Sequence, residues 1–300
     1  MTDNHPPGWS RRRFMGGAFG LATLGTFAAA CAGTSTDGTP AGATASNSRK
    51  ATPSGTATGA KPSPSSSAGS VDADLLQARY SLAPFAPAPT PPAVKPIQLD
   101  PQDPTIFSNI PTTEKICFVT IDDGIEKDPA FIQMVTDFKI PITASLADTL
   151  IKDDYAYFEQ LKETGYVSIQ NHTVNHPLSM PSLSYQEQLD EIAGQQTKLE
   201  QEYGVTPYIF RPPGGNYNST TQQATAAAGL KGMMLWKETM QIHDMEYQTS
   251  DDNLQPGDII LCHFRGPDQL QGETMVQMMV NLYTHIQQQG FTVADVTDYV

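Results

Sequence analysis

Thr120-Ile121-Asp122-Asp123-Gly124 sets two adjacent carboxylates at the end of an apolar run. Carboxylates beside buried strand are costly unless something positive meets them. Gly124 permits a sharp turn that lets both side chains leave the regular alternation of a strand. One Asp would then hold a metal ion and the other would move a proton; a plain capped turn fits the same three residues. Further on, Asn171-His172-Thr173-Val174-Asn175-His176-Pro177 carries two imidazoles four residues apart. If that stretch is helical, His172 and His176 share a face. Two imidazoles and a carboxylate make a three-ligand metal site with positions left open. Exposed polar residues, or a helix start capped by Asn171, also fit. Arg211 precedes Pro212-Pro213-Gly214-Gly215-Asn216-Tyr217. An arginine there can grip a catalytic carboxylate bidentately, and the irregular loop can aim a backbone N–H at a developing oxyanion. A tight connection is the alternative. Ile259-Ile260-Leu261-Cys262-His263 ends a buried run on an imidazole, either an acid or a satisfied core residue.

These groups need a frame. Apolar, β-rich runs occur at 116–121, 140–146, 166–170, 207–210, 232–236, 258–264 and 291–296, with helix-like stretches near 128–138, 153–164, 185–203, 219–228 and 273–289. Strand–helix alternation predicts a parallel sheet with helices packed outside it. About seven such units predict an α/β fold, a distorted or incomplete (β/α) barrel, over 112–300. Ligands gather at the carboxyl ends of strands in such folds. Cys117 lies about 17 Å down its strand from Asp122, at about 3.3 Å per residue, so it and Cys262 are expected as free buried thiols rather than a disulfide.

The 300 residues carry 18 basic and 32 acidic side chains, a net charge of −14. Residues 100–300 hold 28 of the acids and 10 of the bases. So acidic a surface excludes a nucleic-acid partner and adsorption to anionic membranes by charge. The N-terminus differs. Ser10-Arg11-Arg12-Arg13-Phe14 leads into a short, glycine-broken apolar run, the layout of a twin-arginine export signal, an ordinary secretory signal being the alternative. Ala28-Ala29-Ala30-Cys31-Ala32-Gly33 resembles the lipobox of bacterial lipoproteins, with Ala28 where Leu is usual. Residues 1–31 are therefore expected to be a signal whose Cys31 is lipidated, or else cleaved near Ala30 to give a soluble product. From Gly33 to Ser70, 33 of 38 residues are Ser, Thr, Ala, Gly or Pro. Nothing there offsets the entropy of ordering, so 32–70 is expected to be a flexible tether about 35 Å end to end. A short helix over 71–80 and a Pro-rich extended stretch, wrapping the domain or continuing the tether, fill 71–111.

Taken in order, TIDDG, HTVNH, RPPGG and ILCH resemble the successive motifs of the polysaccharide deacetylase family (the NodB-homology domain, carbohydrate esterase family 4), here in an exported, actinobacterial-type lipoprotein. The resemblance spans roughly residues 113–300. It implies a metal-dependent hydrolase in which Asp123, His172 and His176 bind a divalent ion, usually zinc and sometimes cobalt. It implies that Asp122 is the general base, that Arg211 orients it, and that the Gly214 N–H helps hold the oxyanion. His263 would protonate the leaving group, while Leu261 and Trp236 wall the acetyl pocket and Tyr217 contacts substrate. Two departures stand out. The family's Asp that tunes the acid histidine corresponds here to Thr239, with Glu238, His243 or Asp244 as possible substitutes. Gly214 replaces an aromatic residue.

The function expected is removal of acetyl groups from N-acetylated cell-envelope polysaccharide, peptidoglycan or a chitin-like polymer, by a monomer that meets the membrane only through its lipid anchor. The alternatives are an O-acetyl esterase on acetylated xylan, a metal-retaining glycan-binding protein, and a solute-binding lipoprotein. The last would need two lobes where one domain is visible.

Overall fold

The computed structural model describes residues 68–300. The expected export signal, the expected lipidation site at Cys31 and all but the end of the 32–70 stretch lie outside the described residues. Helix α1 (Ala68–Tyr80) opens the described chain, and β1 (Thr105–Phe107), β2 (Ile116–Asp123), α2 (Pro129–Phe138) and β3 (Ile142–Leu146) follow. Next come α3 (Asp148–Ile151), α4 (Tyr155–Glu163), β4 (Val167–Asn171), α5 (Tyr185–Tyr203), β5 (Ile209–Phe210) and α6 (Ser219–Ala227). The chain ends with β6 (Gly232–Met234), β7 (Glu238–Met240), β8 (Met245–Tyr247), β9 (Ile259–His263), α7 (Met275–Gln288) and β10 (Thr292–Val293). No helix among the described residues is long and apolar enough to cross a membrane.

The strands run in the order β1-β6-β5-β4-β3-β2-β9-β7-β8, with β10 beside the start of β2. Every pairing is parallel except the β7–β8 hairpin. The path does not close, so the fold is an incomplete, distorted (β/α) barrel. All seven apolar runs of the sequence are strands. β1 and the β7–β8 hairpin are additional; three residues each are too few to show a period in sequence.

Local chemistry explains the helices. Asp128 caps α2 ahead of Pro129, Ser184 and Glu187 form a capping box on α5, and Thr274 with Gln277 does the same for α7. Met275, Met278, Met279, Leu282, Tyr283 and Ile286 line the buried face of α7 at helical spacing.

All eight residues of β2 are buried, as expected of a strand covered on both faces. Its alternation sorts them. Cys117, Val119 and Ile121 join the main core under the helices, whereas Ile116 and Phe118 join a second core with Ile209, Met234 and Ile259 inside the barrel. Thr120 and Asp122 continue that inner face upward, where the wall turns from apolar to polar.

The Pro-rich stretch packs on the domain. Leu76 and Leu82 enter the main core and Ile97 the inner one. Lys95 Nζ donates to the carbonyls of Thr297 and Val300 at 2.8 and 2.6 Å, the Ile97 N–H to Tyr299 O, and the Thr292 hydroxyl to Ala86 O.

Candidate active site

Asp122 and Asp123 end β2 with different geometry. Asp122 points inward by strand alternation, and Asp123 would point outward if the strand continued. Instead Asp123 itself has φ 79° and Gly124 φ 102°. This left-handed pair swings the second carboxylate to the same end of the barrel. Gly124 has no room for a side chain, because a Cβ there would lie 2.3 Å from Ile151 Cγ2.

His172 follows β4 on its inner side. The HxxxH stretch is not helical, which corrects the condition set on it above. Thr173 and His176 take φ values of 71° and 55°, and the His176 N–H donates to Thr173 Oγ1 at 3.0 Å. The loop is held open by neighbours: Asp148 and Thr149 donate their N–H groups to the carbonyls of Thr173 and Val174. The two imidazoles still converge, with ring centroids 4.9 Å apart.

One ligand atom each from Asp123, His172 and His176 lies within 4.8 Å of the others. His176 Nε2 is 3.1 Å and His172 Nε2 3.5 Å from Asp123 Oδ1. That oxygen is buried with no hydrogen-bond partner among the described residues, as an acceptor waiting for a cation would be. His172 Nδ1 donates to Arg211 O at 2.6 Å. A carbonyl can only accept, so the proton sits on Nδ1 and the Nε2 lone pair faces the site. The donor set therefore fits a divalent cation that takes nitrogen and oxygen ligands, such as zinc. Burial works to raise the pKa of Asp123, yet the close approach of the His172 and His176 imidazoles outweighs it and holds the carboxyl well below the usual range. Burial works to lower His172, and the charges of Asp122 and Asp123 override it and raise it. Both directions report a demand for positive charge.

Arg211 is fully buried one residue beyond β5, on the inner face. Its Nη1 donates to Asp122 Oδ1 at 2.8 Å and to Thr120 Oγ1 at 2.7 Å. Nε and Nη2 reach Met234 O and Leu235 O at 3.2 and 3.4 Å. The bidentate grip expected from sequence is thus a single contact, because the rest of the fork is spent on Thr120 and two carbonyls.

His263 stands opposite Asp122 in the β2–β9 register. Burial pushes its pKa down to about 4; Arg265 and His172 push the same way against the pull of Asp123 and Asp122. None of the proposed substitutes for Thr239 serves it. Glu238 lies beside Asp258, His243 pairs with Glu273 at 3.0 Å, and Asp244 pairs with His285 at 3.4 Å. Thr239 itself lies on the inner face, in register with Leu261 and one step below His263.

Leu261 is buried on the same wall. Trp236 packs on the inner core with Arg211 Cζ 5.9 Å from its ring centroid. Gly214 is exposed with φ 62°, and its N–H has no backbone partner among the described residues. Tyr217 is half-buried and packs against the cluster that contains Met180, Ile192 and Phe210. Cys117 and Cys262 are free and buried. Thr120 is the site residue that motif reading passed over, although it lies two residues before Asp122 on one strand face.

Residues 109–233 match the family described as polysaccharide deacetylase. An uncharacterized protein of Streptomyces coelicolor is 34% identical over 198 residues, covering 66% of this chain and 78% of that one. A peptidoglycan-N-acetylglucosamine deacetylase of Bacillus cereus is 26% identical over 200 residues, covering 63% and 90%. Among solved structures, a carbohydrate esterase 4 family pseudoenzyme from Bacillus anthracis superposes with a TM-score of 0.55 at 17% identity, over 65% of this chain and 69% of that one, which is a likeness of fold.

Proposed function

Because this chain belongs to the polysaccharide deacetylase family, we propose that it hydrolyses acetyl groups from N-acetylated cell-envelope polysaccharide, peptidoglycan or a chitin-like N-acetylglucosamine polymer, as a zinc- or cobalt-dependent enzyme. One observation carries the reading: three converging ligand atoms around a partnerless carboxylate oxygen lie beside a second carboxylate that a buried arginine holds. The similarity to a peptidoglycan deacetylase supports the polymer.

Asp123, His172 and His176 would hold the ion. When bound, a divalent cation supplies Lewis-acid activation of water and of the acetyl carbonyl. Asp122 takes the proton of the attacking water, and Arg211 keeps that carboxylate aimed. The exposed Gly214 N–H is free to donate to the carbonyl oxygen as it gains charge. His263, opposite Asp122, delivers a proton to the departing sugar amine, so water and amide become acetate and amine. Leu261 and Trp236 wall the pocket for the acetyl methyl. The same reading has a monomer exported by the N-terminal signal and held to the membrane through Cys31, which suits a substrate in the cell's own wall.

The test is acetate release from chitooligosaccharides, peptidoglycan and acetylated xylan by the zinc-loaded full chain, the chelator-treated chain, and Asp122→Asn and His263→Ala variants. Release should need metal and fall by about 10²–10⁴-fold in Asp122→Asn, and Cys31→Ser should move the protein from the membrane to the soluble fraction. Release from xylan alone would make it an O-acetyl esterase. Glycan binding without release from any polymer would make it a binding protein.

A further inference from the structure

Thr120 sits at the centre of the buried polar layer without touching the ligand set. Its hydroxyl donates to Ile260 O at 2.7 Å and accepts from Arg211 Nη1 at 2.7 Å. The same nitrogen holds Asp122 Oδ1 at 2.8 Å. Thr120, Asp122 and Arg211 are each no more than 2% exposed, so water does not replace a lost partner there. The hydroxyl has one proton, and the carbonyl of Ile260 takes it. Its lone pairs are therefore turned toward the guanidinium, and the threonine can serve Arg211 only as an acceptor. A β-branched side chain on a strand has little χ1 freedom, which fixes that acceptor in place. Arg211 works at both ends of the residue: its side chain aims Asp122, and its carbonyl receives His172 Nδ1 at 2.6 Å.

We propose that Thr120 is a positioning residue for the deacetylation. It locks the Arg211 guanidinium through one hydrogen bond, anchored on β9, and so sets where Asp122 presents its carboxylate to the attacking water. The inference rests on the reading of Asp122 as base. Its effect belongs on the chemical step rather than on glycan binding, because neither Thr120 nor Arg211 is placed to meet the polymer. Nor should metal affinity change, since the carbonyl of Arg211, not its guanidinium, supports His172.

Zinc-loaded full chains carrying Thr120→Val, Thr120→Ser and Asp122→Asn are compared for kcat and KM on the best glycan substrate, with zinc affinity measured by chelator competition. Thr120→Val keeps the shape and removes the hydroxyl. It should lower kcat by about 10–100-fold, the scale of a small misplacement of a reacting group, with KM and zinc affinity unchanged. Thr120→Ser, which restores the acceptor, should recover most of the lost rate. Should Thr120→Val not fold, Thr120→Cys takes its place under the same criteria. The proposal is overturned if the hydroxyl-free variant keeps wild-type kcat, if Thr120→Ser is as impaired as Thr120→Val, or if zinc affinity falls in step with rate. An active Asp122→Asn chain would instead overturn the base assignment beneath it.

Discussion

At the scale of single residues, the site separates two carboxylates that are neighbours in sequence. Asp122 receives Arg211, and Asp123 receives two imidazoles and keeps a buried oxygen without a donor. The acid side is less well supplied. His263 has the two site aspartates as its negative neighbours, and burial leaves it at about 4. Thr239, on the same inner face and one step lower, is where a carboxylate would alter this. In Thr239→Asp the His263 pKa should move upward, because an adjacent negative charge favours the imidazolium. NMR titration of His263 in the metal-free chain checks this, and an unmoved pKa would remove Thr239 as the partner position.

At the scale of elements, β2 does most of the positioning. Its register puts Asp122 opposite His263 on β9 and opposite Ser145 on β3. Asp123 is swung into the site by the two left-handed residues that end the strand. Gly124 makes that turn while packed on Ile151 and Phe158. Gly124→Ala combines a disfavoured φ with a clash against α3, so it should cost about 2–4 kcal/mol in urea unfolding and weaken zinc binding. A substitution that is neutral in both would show that the ligand turn has other support.

Across the whole molecule, stability depends on a buried acid pair far from the ligands. Glu238 is 1% exposed beside Asp258 and near Cys117, at the lower end of β2. Burial first, then the charge of Asp258, raises Glu238 to about 9. The folded chain thus keeps a proton that the unfolded chain releases near pH 4. This contribution to stability is complete below that pH and is lost as pH rises toward 9. Melting temperature should therefore fall between pH 6 and 9, by on the order of 5 °C, and Glu238→Gln should flatten the fall. An equal slope in both chains would show that the pair is already ionised when folded. The fold extends beyond the catalytic motifs as well: α1 and the Pro-rich strap cover both cores and close over the last residues of the chain.

How much was legible beforehand follows from where the information resides. Most of the strand and helix order, the fold class and the convergence of Asp123 with His172 and His176 were readable in the sequence, because apolar periodicity and cap residues are local and because four motifs arrive in order at strand ends. Three things were not readable. The left-handed turns at Asp123, Thr173 and His176 depend on loops packed from elsewhere, so HTVNH could pass for a helix. The single contact between Arg211 and Asp122, with Thr120 as second acceptor, arises because β2, β5 and β6 meet inside the barrel. The Pro-rich stretch could have been tether or strap until its apolar residues found a core to enter. Local chemistry is written along the chain, whereas convergence of side chains more than 80 residues apart is a property of strand register, and only the assembled sheet has one.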